Sequence, residues 1–256
     1  MQQQFSLEGK SALVIGASNP IGRAIAVALA EAGADVGVAT TTTNPDETVL
    51  VNSCANEIWA LDRKHFAHTI HGGDEADVEV VIHRTVSELG RIDILVNAHD
   101  LPFAKPTLET DYAEWHAVIN ANLGGVFLAS KYAAREMLKH KWGRIINVAS
   151  VLGERGLING AAYCAADAGV INLTRALALE WAREGIKINA IGAGWTKGMG
   201  MIGGAEGRQQ LERYLPYKRL AEPEEIAGAA VYLASEAADY LTGQVVWIEG
   251  GALSHV

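Results

Sequence analysis

The sequence predicts an α/β fold in which a doubly wound, seven-stranded parallel sheet carries helices on both faces. Three observations lead to that prediction. Short runs rich in valine, isoleucine and alanine alternate with longer, helix-length segments along the 256 residues. The short runs are continuously apolar, which is typical of parallel strands buried on both faces. The alternation is not interrupted by a repeat or a linker, so we expect one domain over residues 1–256.

The first half of the chain contains four predicted strands and three predicted helices. Gly33 and Gly90 end the first and third helices, because glycine readily adopts the left-handed conformation that closes a helix. The strands are Ser11–Ile15, Val36–Thr40, Phe66–Ile70 and Ile92–Asn97, and the helices are Ile21–Ala32, Thr48–Leu61 and Asp74–Leu89.

The second half continues the pattern with three more strands. Pro223 falls in the first turn of a helix, a position that tolerates proline. Right-handed crossovers then give the strand order 3-2-1-4-5-6-7. Ligands of such sheets bind at the carboxyl ends of the strands, near the point where the order reverses. The strands are Arg144–Ala149, Lys187–Ile191 and Val245–Ile248, and the helices are Asp111–Lys139, Ala161–Glu184 and Glu222–Ala234.

Composition excludes several classes of function. The formal net charge of −9 repels polyphosphates, so we expect no nucleic-acid partner. Cys54 and Cys164 have no CxxC spacing, which predicts neither a disulfide framework nor a zinc site. We find no signal-peptide pattern at the start and no apolar run near the roughly 18 residues that span a membrane. The expected location is the cytoplasm, without a membrane partner.

A glycine-containing turn, VIGASNPIGRAIA, follows the first strand. Gly16 and Gly22 flank it, and glycines at such a turn let backbone amides approach a pyrophosphate at the helix N-terminus. A glycine pair by itself also fits a tight strand-to-helix turn that binds nothing. Within the predicted sheet, however, the turn indicates a Rossmann-type dinucleotide site.

Several further segments, in order, resemble the short-chain dehydrogenase/reductase family over nearly the whole chain. They are LVNAHD at 95–100, INANLGGVF with Asn122, RIINVAS ending at Ser150, Tyr163 thirteen residues later, INAIGAGW, and the C-terminal RLAEPEEIAGAAVYLASEAADYLTGQVVWIEGG. The resemblance implies an oxidoreductase that transfers a hydride between NAD(P)(H) and an alcohol or ketone.

The resemblance also implies a catalytic set. Tyr163 exchanges the proton, Ser150 orients the substrate oxygen, and Asn122 holds a water molecule. The family's lysine, four residues after the tyrosine, is replaced by Asp167. One charge about 5 Å away is worth roughly 3 kcal/mol at an effective dielectric constant of about 20. We therefore expect a higher phenol pKa, unless Asp167 is protonated or faces a cation such as Lys197.

By resemblance, the cofactor lies along the glycine turn, the ends of the second and fourth strands, and the loop after the sixth. A carboxylate ending the second strand would favour NAD. Thr40 and Thr41 stand there instead, as in NADP-using β-ketoacyl carrier-protein reductases, whereas the basic residue of their glycine turn is Asn19 here. NAD(H) and NADP(H) both stay open. The implied cofactor-binding residues are Gly16, Ser18, Asn19, Ile21, Gly22, Thr40, Thr41, Asn97, Ala98, Gly194 and Thr196.

Other positions around the cleft also depart from the family pattern. We expect Pro20 to remove an amide donor and His99 and Asp100 to add bulk and charge beside the cofactor. Two functions follow: an oxidoreductase with an altered catalytic set, or a non-redox protein, either a lyase- or isomerase-like enzyme or a cofactor-binding or oligomer partner. Two departures remain. Ala193 replaces a proline, and Gly198 lies near the position where the family usually has a threonine, a role for which Thr196 could substitute.

Three expectations concern the rest of the chain. The resemblance places a substrate lid at about 195–220, and its glycines (Gly200, Gly203, Gly204 and Gly207) predict mobility. It also implies a homo-oligomer, most often a tetramer, in which helices 111–139 and 161–184 pair across a two-fold axis. His68, His71 and Asp74 have only a loose metal-ligand spacing, so we predict no metal site.

Overall fold

The computed structural model describes residues 2–42, 44–70, 75–200 and 204–254. Its sheet has seven strands in the order β3-β2-β1-β4-β5-β6-β7, and every neighbouring pair is parallel. This confirms the predicted fold class. The strand order reverses between β1 and β4, which opens a crevice there. The strands are β1 Ser11–Ile15, β2 Asp35–Thr41, β3 His65–Ile70, β4 Ile94–Asn97, β5 Gly143–Ser150, β6 Ile186–Ala193 and β7 Val245–Ile248.

Helices cover both faces of the sheet. One apolar core joins the sheet to α1, α2 and α8, and a second joins it to α3, α5 and the C-terminal half of α6. The α-helices of the described residues are α1 Pro20–Glu31, α2 Pro45–Ala60, α3 Glu75–Leu89, α4 Tyr112–Ile119, α5 Gly125–Met137, α6 Ala161–Trp181, α7 Gly204–Tyr214 and α8 Pro223–Ala234. None of them is long and apolar enough to cross a membrane.

The start of α2 differs from the sequence prediction. The helix begins at Pro45 and not at Thr48, because the Asn44 side chain caps it by accepting a hydrogen bond from the amide of Asp46. Proline suits the first helical position, where its missing N–H would have no helical partner. The earlier start places Glu47 in the first turn of α2, where it faces the end of β2.

The predicted helix 111–139 is interrupted. A π-helical turn over Asn120–Gly124 separates α4 from α5. Two contacts act on this turn: the His99 ring Nε2 lies 2.8 Å from the Ala121 carbonyl oxygen, and the Asn122 amide binds the backbone of Leu101. Such turns are frequent at functional sites because they redirect side chains. Here the turn faces the loop that follows β4.

The segment predicted as a lid contains a helix, α7, for which no prediction was made. Gly204 and Gly207 belong to α7, and Leu215 and Leu220 after it pack with Ala252 of the C-terminal tail. Other predicted residues lie outside the described ones, namely His71 and Asp74 of the loose histidine cluster and Gly203 of the lid.

Candidate active site

A cleft opens at the carboxyl ends of β1, β4, β5 and β6. Its walls come from the glycine turn, the loop after β4, the end of β5, the first turns of α6, and the segment after β6. These are the positions at which a doubly wound sheet binds its ligands. Most of the sequence-predicted site therefore converges in one place, although the residues are separated by up to 180 positions in the chain.

The glycine turn is packed too closely for side chains. Gly16 has a φ of +100°, and a Cβ built on it would lie 2.3 Å from the carbonyl carbon of Ala98. A Cβ on Gly22 would lie 2.2 Å from the carbonyl oxygen of Gly16. The turn thus presents bare backbone at the N-terminus of α1, which is the donor set that a pyrophosphate requires. These residues fit a dinucleotide.

Asn19 and Pro20 organise the start of α1. The Asn19 Oδ1 accepts from the amide of Gly22 at 2.8 Å, and its Nδ2 donates to the carbonyl oxygen of Ala98 at 2.6 Å. Asn19 therefore joins the turn to β4. Pro20 is the first residue of α1, so the amide it lacks is one that no helical carbonyl would accept. The sequence predicts that Pro20 costs the turn an amide donor. In the structure Pro20 occupies the first position of a regular helix, where no such donor is needed for the helix.

The carboxylate of Glu47, in the first turn of α2, lies at the end of β2, and the sequence did not predict it there. Ser18 Oγ and Thr40 Oγ1 lie 2.6 Å apart, and both donate to Glu47 Oε2 at 3.2 Å. Thr40 is buried, whereas Thr41 points to the opposite face of the strand. The available signal was an acidic residue in the first turn of the helix that follows β2.

Beneath the cleft, the end of β4 is tied into the core. The Asn97 Nδ2 donates to Asn147 Oδ1 at 2.9 Å and to Ser130 Oγ at 3.3 Å. The Ala98 amide donates to the Ile15 carbonyl oxygen at 2.7 Å. The side chain of Asn97 thus holds the strands together, and the carbonyl of Ala98 is already occupied by Asn19.

Tyr163, Ser150 and Asp167 come together at the end of β5. Tyr163 and Asp167 are one helical turn apart on α6 and are each 7% exposed. The Ser150 amide donates to Asp167 Oδ1 at 2.8 Å, and the Ser150 side chain lies beside the Tyr163 phenol and lowers its pKa in part. The carboxyl of Asp100 lines the same cleft and acts on the pKa of the phenol from the loop after β4. The phenol therefore sits between two carboxyl groups.

Burial and the two carboxylates act together on the acidities. Burial is the main reason why the pKa of Tyr163 lies well above its usual 10, and the charges of Asp167 and Asp100 raise it further. Burial likewise raises the pKa of Asp167 to about 7, although the Ser150 amide lowers it in part. The pKa of Asp100 is also raised by burial. The Tyr163 phenol consequently stays protonated at neutral pH.

Lys197 does not neutralise Asp167. The sequence leaves open an ion pair between them, but the Lys197 ammonium is bonded to the carboxylate of Glu222 at the start of α8. The charge that shapes the pKa of Asp167 is instead another carboxylate, that of Asp100. The phenol pKa rises in the direction that the sequence predicts.

His99 packs against the π turn. Its Nε2 lies 2.8 Å from the Ala121 carbonyl oxygen, and a Cβ on Gly125 would lie 2.7 Å from the same nitrogen. Burial lowers the pKa of His99, so the ring is neutral near pH 7 and adds no charge. Its added bulk is accommodated by the missing side chain of Gly125. The charge that the sequence expects in this loop comes from Asp100.

Asn122 is buried and bound to the loop after β4. Its Oδ1 accepts from the Leu101 amide at 2.8 Å, and its Nδ2 donates to the Leu101 carbonyl oxygen at 3.0 Å. One amide proton remains for another partner. The side chain fixes the loop that carries Asp100.

The segment after β6 closes one side of the cleft. Thr196 is fully buried, and its hydroxyl donates to the Gly194 carbonyl oxygen at 3.0 Å. Gly198 has a φ of +79°, and a Cβ there would lie 2.8 Å from Pro20 Cγ. The beginning of the lid thus lies against the glycine turn. Ile21, Ala193 and Gly194 complete the wall on this side.

The described residues contain no cluster of three or more histidine, cysteine, aspartate or glutamate side chains arranged to hold a metal ion. His68 is among the described residues, but His71 and Asp74 are not.

Comparison with known proteins shows what this chain is similar to. The family model for enoyl-(acyl carrier protein) reductase matches residues 16–252. The 2-dehydro-3-deoxy-D-gluconate 5-dehydrogenase of Dickeya dadantii is 34% identical over 98% of each chain. The 3-oxoacyl-(acyl-carrier-protein) reductase of Aquifex aeolicus is 33% identical over 97% of this chain and 99% of its own. A gluconate 5-dehydrogenase from Burkholderia cenocepacia, solved with NADP and tartrate, superposes with a TM-score of 0.90 at 30% identity, covering 100% of this chain and 99% of its own.

Proposed function

This chain belongs to the short-chain dehydrogenase/reductase family and is an NAD(P)(H)-dependent oxidoreductase, and from that premise we propose that Tyr163 and Ser150 are its reaction centre. The observation that carries this proposal is that both side chains line the cleft at the end of β5, where the Ser150 amide is also bound to Asp167 one helical turn from Tyr163. The relatives are named as dehydrogenases and reductases, which does not favour the non-redox alternative.

The chain's own groups then divide the work. When bound, the nicotinamide gives or receives the hydride. Tyr163 exchanges a proton with the substrate oxygen, and the Ser150 hydroxyl orients that oxygen by a hydrogen bond. Asp100 lies beside the phenol and passes a proton from solvent to the phenolate that ketone reduction leaves behind. Asp167 positions Ser150 by accepting a hydrogen bond from the Ser150 backbone amide, and it would accept hydrogen bonds from the ribose hydroxyls of a bound nicotinamide dinucleotide.

The acidity of the phenol gives the reaction a direction. Reduction of a ketone needs a protonated Tyr163, which is the form present at neutral pH because its pKa lies well above 10. Oxidation of an alcohol needs the phenolate. We therefore propose that the protein reduces carbonyl groups near neutral pH and oxidises alcohols only at high pH.

The lining of the cleft suits an uncharged substrate. Leu152, Trp195 and Met199 form apolar wall, and the charged side chains among the described lining residues are Asp100 and Asp167. No lysine or arginine is among those described lining residues to bind an acid. We therefore propose that the substrate is a neutral hydroxy or keto compound. Gluconate appears in the names of some relatives and describes the substrates of those proteins.

Replacing Tyr163 with phenylalanine tests the reaction centre. We expect turnover of neutral ketones with NADH or NADPH to fall about 100-fold or more, because the proton donor is lost. The dissociation constant of the dinucleotide should change less than about three-fold. Nicotinamide absorbance gives the rate and titration calorimetry gives the affinity.

Tyr132→Phe is the matched control, because it removes a hydroxyl that binds Glu75 far from the cleft. Unchanged turnover in the Tyr163→Phe protein would contradict the proposal. Absence of heat with all four nicotinamide cofactors would contradict the proposed dinucleotide site itself.

We also propose a homotetramer. Aromatic and aliphatic side chains are exposed along the helices that the family pairs, at Tyr112 (75% exposed), Phe127 and Leu179 (83%). All four residues of the edge strand β7 are only half-buried. Two-fold interfaces would cover these surfaces. Light scattering should therefore give about four times the chain mass of 27.2 kDa, and a mass of one chain at micromolar concentration would contradict the tetramer.

Three further proposals concern organisation and location. The chain forms one domain over 1–256, residues 195–220 serve as the substrate lid, and the lid's α7 moves as substrate enters. We place the protein in the cytoplasm, since Cys54 and Cys164 are both free thiols, which a reducing compartment maintains.

A further inference from the structure

A carboxylate reaches the end of β2, where the sequence shows only threonines. Glu47 is half-buried in the first turn of α2, and its Oε2 accepts hydrogen bonds from Ser18 and Thr40 at 3.2 Å each. The glycine turn, β2 and α2 thus converge on one negative charge. Its hydroxyl partners orient the carboxylate but leave its charge in place.

We propose that Glu47 binds the adenosine ribose hydroxyls and makes the protein selective for NAD(H) over NADP(H). The inference rests on the proposed function, because it requires a dinucleotide in the cleft. In a doubly wound sheet the carboxylate that accepts from the ribose 2′-hydroxyl lies about 20 residues after the glycine motif. Glu47 follows Gly22 by 25 residues and takes that place from the helix instead of the strand.

Among the described residues, the side-chain donors of Ser18, Thr40 and Asn19 at this site already have partners. A 2′-phosphate is bound through donors and positive charge. Ser18 and Thr40 each have one hydroxyl proton, and these protons are directed to Glu47 or shared between the two hydroxyls. The Asn19 amide donates to Ala98. A ribose 2′-hydroxyl, in contrast, can itself donate to the carboxylate.

The basic side chain at the start of α1 is also engaged. Arg23, on the first turn of α1, is bound to Glu57 and Ser53 of α2. A 2′-phosphate at this place would therefore face the carboxylate of Glu47 without a free cation from α1, and like charges a few Å apart repel strongly. The Burkholderia relative was solved with NADP, so the fold itself accepts a 2′-phosphate, and the preference proposed here depends on the residues of this chain.

Titration calorimetry with NAD and NADP tests the inference. We expect the wild-type protein to bind NAD at least about ten-fold more tightly, which corresponds to about 1.4 kcal/mol. Glu47→Gln keeps the shape of the side chain and removes its charge, so the preference should fall about ten-fold, mainly through tighter NADP binding. Raising the salt from about 0.05 M to about 0.5 M should narrow the wild-type preference by screening, and should change the variant less.

Asp46→Asn is the matched control. It removes a neighbouring charge in the same helical turn, and its carboxyl is exposed and takes no part in the Ser18–Thr40–Glu47 contacts. Its preference should equal that of the wild type. Circular dichroism verifies that each variant is folded.

Three results would overturn the inference, and they separate it from the proposed function. Equal or tighter binding of NADP by the wild type, or an unchanged preference in Glu47→Gln, rejects Glu47 as the selecting residue while the oxidoreductase proposal stands. Failure of the wild type to bind either dinucleotide rejects both.

Discussion

Replacing Asp167 with lysine is expected to raise the rate of alcohol oxidation at neutral pH by about ten-fold or more. The change exchanges an anion for a cation one helical turn from Tyr163, and a single charge at about 5 Å is worth roughly 3 kcal/mol. The pKa of the phenol should fall, so the phenolate forms at lower pH. The ammonium would also face Asp100, which offers it a partner. The pH profile of kcat/KM for oxidation measures the change.

Asp167→Asn is the control that removes the negative charge of Asp167 without adding a positive one. Its side-chain oxygen can still accept from the Ser150 amide, so the local geometry is kept. We expect a smaller rise in oxidation rate, because the anion is removed but nothing replaces the lysine. An unchanged pH profile in a folded Asp167→Lys protein that binds its cofactor would show that position 167 does not shape the chemistry. Loss of activity in both variants would point to chemistry that needs the carboxylate.

The wild-type protein and Asp167→Asn should also differ in the pH dependence of their stability. The pKa of Asp167 is about 7 in the folded protein and 3.8 in an exposed side chain, so folding disfavours the ionised form. Its contribution to stability is complete below pH 3.8 and is lost as the pH rises through 7. Asp167→Asn escapes this loss, and relative to the wild type it should gain about 1 kcal/mol between about pH 6 and pH 8.5. Melting temperatures at the two pH values measure it.

Replacing Gly22 with alanine is expected to abolish dinucleotide binding. The new Cβ would lie 2.2 Å from the Gly16 carbonyl oxygen, and that oxygen belongs to backbone that cannot turn away as a flexible side chain could. The glycine turn must therefore open, and the amides that face the pyrophosphate move with it. We expect the dissociation constant to rise about 100-fold or more, with a lower melting temperature.

Gly228→Ala is the matched control for this substitution. Gly228 is also helical, it is exposed on α8, and no atom lies within 4 Å of a Cβ built there. Alanine at that position should leave binding unchanged and raise stability by up to about 1 kcal/mol. A folded Gly22→Ala protein with wild-type affinity would contradict the assignment of the turn to the cofactor.

The order of the strands and the place of the cleft could be predicted from the sequence. An apolar run such as Ile94–Asn97 predicts a parallel strand by itself, because a strand buried on both faces is apolar at every position and does not alternate with polar residues. The spacing from Ser150 to Tyr163 likewise identifies residues that meet at one end of the sheet. The lid helix α7 has no such signal, since none of its residues is buried.

The π turn and the partners of the site residues could not be predicted from the sequence. The π turn depends on His99 and Asn122 contacting the same stretch from the loop after β4, and a helical period does not record such contacts. The sequence predicts that Asp100 obstructs the cofactor, whereas in the structure its carboxyl acts on the pKa of Tyr163.

The sequence by itself determined the fold class, the glycine turn and the replacement of a lysine by Asp167, because each depends on residue types at short, regular spacings. Only the tertiary structure decided which charges face one another. It brought Asp100 and Asp167 to the same phenol and Glu47 to the end of β2, and it paired Lys197 with Glu222. The physical reason is that charge interactions and desolvation depend on distance and burial, and those quantities exist only once separate elements have packed together.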